Sequence, residues 1–96
     1  MSRSLYKGEI DMVGIEVSRK DQQEFSLGAA TYEVRDARHK VVKEDSATVE
    51  GRKVYSLIDT TEEHYRPGQA YYVYFVVEIE GRPERKIGPV EVHILR

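Results

Sequence analysis

The chain has no cysteine and no tryptophan, and only three prolines among its 96 residues. Without cysteine there is neither a disulfide framework nor a thiolate zinc site. Long apolar runs are also missing. The opening MSRSLYKGEI has no apolar core of the kind a signal peptide carries, and no segment approaches the roughly 20 apolar residues that a membrane-crossing helix requires. The expectation is a soluble chain with no signal peptide and no membrane insertion. Neither sign of charge dominates: 15 Lys and Arg stand against 17 Asp and Glu, for a net charge of −2. That balance argues against general nucleic-acid binding, because a run of phosphate contacts needs a concentrated cationic excess. There is no repeat and no Pro/Gly-rich linker.

What is present is a globular composition, 40% hydrophobic and 33% charged, in a length that supports one modest core. The apolar residues recur with a period of two almost throughout, the signature of strands. In TYEVR, residues 31–35, Tyr32 and Val34 face one way, with Thr31, Glu33 and Arg35 opposite. DARHK then forms a polar loop into VVKED, which predicts a hairpin over residues 29–45. SATVEG and KVYSLID, separated by Gly51 and Arg52, predict a second, shorter one. AYYVYFVVEIEGRP, residues 70–83, carries apolar residues on both parities. Tyr71, Val73, Phe75, Val77 and Ile79 share one face; Tyr72, Tyr74 and Val76 share the other.

Two positions break the parity. In GEIDMVGIEV, Ile10 and Met12 are even while Val13, Ile15 and Val17 are odd. The change falls beside Gly14 and predicts a bulge or break between Met12 and Gly14. A second change near FSLGAATY predicts a bend at Gly28. Thr60 and Glu63 have capping-box spacing, but Pro67 follows closely, so at most one helical turn is expected near residues 60–65. Pro89 has no amide hydrogen, so the last strand is expected to begin near it or to lie at an edge there. The sum is an all-β antiparallel sandwich of six to seven strands over residues 9–96, preceded by an N-terminal arm at 1–8.

The stretch YSLIDTTEEHYRPGQAYYVYF resembles the approach to the sixth strand of fibronectin type III and related immunoglobulin-like domains. There a strand ends in leucine, a connector carries Pro-Gly, and an aromatic-alternating strand follows. The likeness covers roughly residues 53–95 and lacks the Trp and Cys pair of antibody-type domains. It implies a structural corner in which the hydroxyl of Tyr71 folds back onto the connection holding Pro67 and Gly68. The order of TYEVRDARHKVV, a Pro-Gly connector and a long terminal hairpin is also similar to small immunoglobulin-like accessory modules of tailed-phage and prophage structural proteins. That likeness implies a structural, virion-associated role.

Catalysis finds little support. No serine lies in a Gly-x-Ser-x-Gly elbow, no Gly-rich phosphate loop is present, and His39, His64 and His93 form no metal-binding spacing. The chain is therefore expected not to be an enzyme and to need no cofactor or metal. Protein contact has more to work with. The stripe Tyr72, Tyr74, Val76 is a candidate interface, since tyrosine offers large rigid area with a polar tip; its competing readings are a stripe covered by Arg and Lys stems and one buried under the connector 59–69. Tyr55 and Leu57 extend the stripe if they point outward, and belong to the core if Val54 and Ile58 do so instead. Arg82, Arg85 and Lys86 form a candidate basic loop, which joins Arg35, Arg38 and Lys40 in one cationic rim if the two loops share an end of the sandwich. An open sandwich edge or the N-terminal arm offers a further mode of pairing with a neighbour. The expected function is a structural or assembly module that binds a protein partner or itself. The alternative is an adhesion domain that binds carbohydrate or a host surface through loops holding His39, His64, Tyr65 and the Arg-rich tips.

Overall fold

The computed structural model describes residues 2–18, 27–79 and 84–96. The described residues form eight strands and no helix: β1 (Ser2–Tyr6), β2 (Ile10–Glu16), β3 (Leu27–Arg35), β4 (Val41–Ser46), β5 (Thr48–Glu50), β6 (Lys53–Asp59), β7 (Ala70–Ile79) and β8 (Arg85–Leu95). They make a five-stranded sheet of order β1-β8-β7-β3-β4 and a three-stranded sheet of order β2-β6-β5. All pairings are antiparallel except β1 with β8, which is parallel from Ser2 opposite Glu91 to Tyr6 opposite Leu95. The expected count of six to seven strands, all antiparallel, is corrected by this pairing. Most of the supposed arm, Ser2–Tyr6, is an edge strand of its own domain. Leu5 alone of that strand is buried, and the backbone pairs with β8 along all five residues.

The core follows the alternation. Val34 of β3, Val54 and Ile58 of β6, Val73 and Phe75 of β7, and Val92 of β8 are fully buried. Tyr32 is buried as well, and its hydroxyl donates to the carbonyl of Leu57 at 3.1 Å, tying the two sheets together across the core. Both short hairpins form as expected. The 36–40 loop closes with Asp36 N–H donating to the Lys40 carbonyl at 3.0 Å, while Asp36 Oδ1 accepts from the amides of Arg38 and Lys40 at 2.8 and 3.0 Å. The Gly51-Arg52 turn places Gly51 at φ 60°.

The parity changes divide. At Gly28 the expected bend is a register shift between Leu27 and Ala30 against β7. At Gly14 there is none: β2 runs in unbroken register against β6 from Ile10 opposite Asp59 to Glu16 opposite Lys53. Both sets of apolar residues are therefore real, and they sit on opposite faces. Pro89 does not start β8, but the strand is open on its other side there, because β1 pairs with β8 only from Glu91 onward among the described residues. Pro89 follows Gly88 within the strand, where the register against β7 slips between Val73 and Phe75, and a bulge is where a sheet accommodates a missing donor.

The connector 60–69 is a series of turns. Thr60 does not cap a helix; it is buried and its Oγ1 accepts from Gly8 N–H at 2.8 Å and donates to the Glu9 carbonyl at 2.6 Å. Its hydroxyl is thus spent on the β1–β2 turn. Lys7 Nζ reaches over to the carbonyls of Glu62 and Tyr65 at 3.0 and 2.6 Å. Arg66 to Gln69 make a turn closed by Gln69 N–H to the Arg66 carbonyl at 3.2 Å, with Gly68 at φ 80° in the third position, the site where a turn of this type demands glycine. Tyr71 secures it: its hydroxyl donates to the His64 carbonyl and accepts from Arg66 N–H, both at 2.7 Å. Tyr65 packs edge-on against it, with ring centroids 5.1 Å apart.

Tyr71→Phe removes both of those bonds while preserving the ring. Each net hydrogen bond contributes about 1 kcal/mol, so the variant should lose about 1–2 kcal/mol in urea unfolding. An unchanged midpoint would show that the connector is held without the phenol.

Candidate interaction surfaces

The pleat gives each sheet an outer face, and the two differ. On the five-stranded sheet, Tyr72, Tyr74 and Val76 of β7 point away from the core and are half-buried. Tyr74 is covered by cations from both neighbouring strands: the Arg35 guanidinium lies 5.3 Å and the Lys86 ammonium 5.5 Å from its ring centroid. Glu33 holds these cations in place, 2.8 Å from Arg35 Nη2 and 2.5 Å from Lys86 Nζ. The Lys86 hydrogen bond, joined by Arg35, draws the Glu33 carboxyl below its ordinary value. Lys stems and Arg planes lying over rings shield apolar surface from water. The center of the expected stripe thus carries its own lid.

The candidate basic rim does not assemble. Arg82 lies outside the described residues. In the β3–β7 pairing, Arg35 sits opposite Tyr72 and Ala30 opposite Val77, while Val77 is also opposite Arg85. The 36–40 loop and the Arg85 end therefore lie at opposite ends of β7. Lys86 is engaged with Glu33 rather than with a loop cluster. Arg38 and Lys40 instead share a half-open groove of about 760 Å³ with Arg66, Glu63, His64 and Gln69. Of the loop residues considered for adhesion, His39 is exposed at φ 63°, but Tyr65 is 1% exposed and offers no ring to a ligand. Burial lowers the His64 pKa and raises that of Tyr65. Among the described residues, no group of three or more His, Asp or Glu is placed to hold a metal ion, and no helix is long and apolar enough to cross a membrane.

The three-stranded sheet has the barer face. Because β2 is regular, Ile10, Met12, Gly14 and Glu16 all point outward, and on β6 so do Lys53, Tyr55, Leu57 and Asp59. Met12 stands directly opposite Leu57 and Gly14 opposite Tyr55. Ile10 is 58%, Leu57 50% and Met12 39% exposed, high values for neighbouring large apolar side chains. Tyr55 lies flat over Gly14: a Cβ there would run into the Tyr55 ring and come within 2.7 Å of the Val54 carbonyl oxygen. The glycine is thus a seat for the ring. Charged residues bound the patch, with Glu16, Lys53 and Glu50 at one end and Asp59 at the other. Asp59 accepts from the Thr61 hydroxyl at 2.5 Å and its amide at 3.0 Å, which lowers its pKa.

Tyr55 and Leu57 therefore point outward, yet they do not extend the Tyr72 stripe, because they belong to the other sheet. The expected bulge between Met12 and Gly14 would have turned Ile10 and Met12 to the core; the unbroken register keeps them on the outer face. The signal that reveals it is the pairing of outward Ile10 and Met12 with outward Tyr55 and Leu57 on adjacent strands. No protein-family model, curated protein or solved structure matches the chain.

Two measurements check these surfaces. Gly14→Ala should destabilise the fold by about 1–3 kcal/mol, the range for overpacking, with Tyr55 displaced in its NMR ring signals; wild-type stability and unshifted signals would contradict the seat. Glu33→Gln should cost up to about 1 kcal/mol at pH 7, as for a well-placed ion pair near the surface. Because the folded pKa of Glu33 lies below the unfolded one, its contribution is present above the ordinary carboxylate pKa and fades as pH falls through the lowered value. The gap between wild type and variant should accordingly close on acidification, and a gap that persists to the lowest pH would count against the network.

Proposed function

We propose that this chain is a non-enzymatic assembly module of immunoglobulin-like layout that works by protein contact. The observation that carries the reading is the outer face of β2-β6-β5, where Ile10, Met12 and Leu57 stand exposed side by side. Solvated sheet exteriors are ordinarily polar, and a contiguous apolar patch with a charged rim is what a docking surface needs. The layout is supported by the strand order of the two sheets and by the Tyr71 hydroxyl folded back on the connector. The likeness to accessory modules of tailed-phage particles supports a particle subunit as the setting.

The alternative, adhesion through loops, draws on the groove holding Arg38, Lys40 and Arg66. It is the weaker reading, because the groove is polar, half-open and also lined by Asp36 and Glu63.

The test is made on the chain as it occurs in its source. It should sediment within an assembly heavier than one 96-residue chain, and Leu57→Glu with Met12→Glu should release it as a folded monomer. A native chain that sediments free at its natural concentration would overturn the assembly reading. A glycan-array signal lost in Arg38→Glu with Arg66→Glu would move the assignment to the groove.

A further inference from the structure

We propose that the face of β2-β6-β5 docks onto the same face of a second copy of this chain, through a two-fold axis that runs across the strands. The inference rests on the protein-contact reading and names its partner.

The distribution of charge selects the partner and the orientation. Two such faces can meet with a two-fold axis either along the strands or across them. An axis along the strands sets Lys53 against Lys53, Asp59 against Asp59, and Glu16 of β2 against Glu50 of β5, since these last two flank Lys53 on either side. Every rim contact is then between like charges, which opposes association. An axis across the strands superposes β6 on β6 in opposite directions about Ser56, and β2 on β2 about Val13. Lys53 then faces Asp59 of the other copy at both ends. Both Thr61 bonds to Asp59 fall on Oδ1, and the proposed dimer assigns Oδ2 to the incoming ammonium.

The same operation sets Tyr55 over Leu57 of the other copy and Met12 over Gly14, where the surface has no side chain of its own beyond the Tyr55 ring seated there, and it lays Ile10 against Glu16 at each end of the patch. Methionine sulfur packs favourably on aromatic rings. Antiparallel strands crossing at about 30° are the ordinary geometry of aligned sheet packing. The patch is small: seven residues at about 3.4 Å each make β2 and β6 some 24 Å long, and adjacent strands lie about 4.8 Å apart. An interface of that size falls at the low end of specific contacts, so the expected dimer is weak, with a dissociation constant of about 10 μM or above.

Sedimentation of the purified chain between about 5 μM and 1 mM tests this. The expected result is a monomer–dimer equilibrium that Leu57→Glu abolishes and Tyr72→Glu with Tyr74→Glu leaves unchanged. Lys53→Glu alone and Asp59→Lys alone should each weaken dimerisation at least tenfold, because each homodimer places like charges together twice. An equimolar mixture of the two should restore native affinity, because both ends then pair opposite charges. Asp59→Asn keeps the Oδ1 acceptor for Thr61 and should weaken the dimer severalfold, which guards against misfolding of the lysine variant. A monomer throughout, while the chain still sediments in its native assembly, would overturn the second copy as partner and leave the protein-contact reading standing. A dimer that resists Leu57→Glu would overturn the face, and a mixture that fails to restore association would overturn the two-fold arrangement.

Discussion

The register of β2 against β6 decides what this molecule shows to its surroundings. Seven residues lie opposite seven without a slip, so the side-chain alternation of both strands stays in phase. Val13 and Ile15 then face the core together with Val54, Ser56 and Ile58, while Ile10 and Met12 face out with Tyr55 and Leu57. One extra residue in β2 would have reversed half the strand and taken Met12 inside. Two contacts fit this register: the buried Ser56 hydroxyl donates to the Val13 carbonyl at 2.8 Å, and Gly14 leaves room for the Tyr55 ring opposite it.

The same domain treats its two outer faces in opposite ways. On the five-stranded sheet, Arg35 and Lys86 close over Tyr74 and share Glu33. This covers the ring of Tyr74. On the three-stranded sheet Met12 and Leu57 stand opposite one another with Ile10, Gly14 and Tyr55 beside them, and the charges Glu16, Lys53, Glu50 and Asp59 lie at the ends of the strands. Tyrosine content alone would place the contact surface on the first sheet. Local charge placement puts the bare surface on the second.

Much of the fold was legible. The hairpin loops at 36–40 and Gly51-Arg52 follow from turn residues between alternating runs, the Gly28 irregularity from a change in parity, and the Tyr71 corner from the resemblance of the connector. Each depends on neighbours in sequence. The errors came where contacts were remote. Ser2–Tyr6 contains a single inward residue, Leu5, too weak a pattern to distinguish a strand from an arm until β8 lies beside it. Thr60 and Glu63 have the spacing of a cap, but the hydroxyl is taken by the β1–β2 turn some fifty residues away.

The amino-acid sequence by itself determined the all-β character, the alternation that builds the core, and most of the turns, because those depend on dihedral preference and on a period of two. Only the tertiary structure decided which apolar set of β2 is surface, which charges meet which rings, and which loops share an end of the molecule. Those outcomes depend on the pairing of distant strands. A side chain's own parity says that it faces away from its neighbours in the chain, but what lies across from it is settled only when another strand arrives.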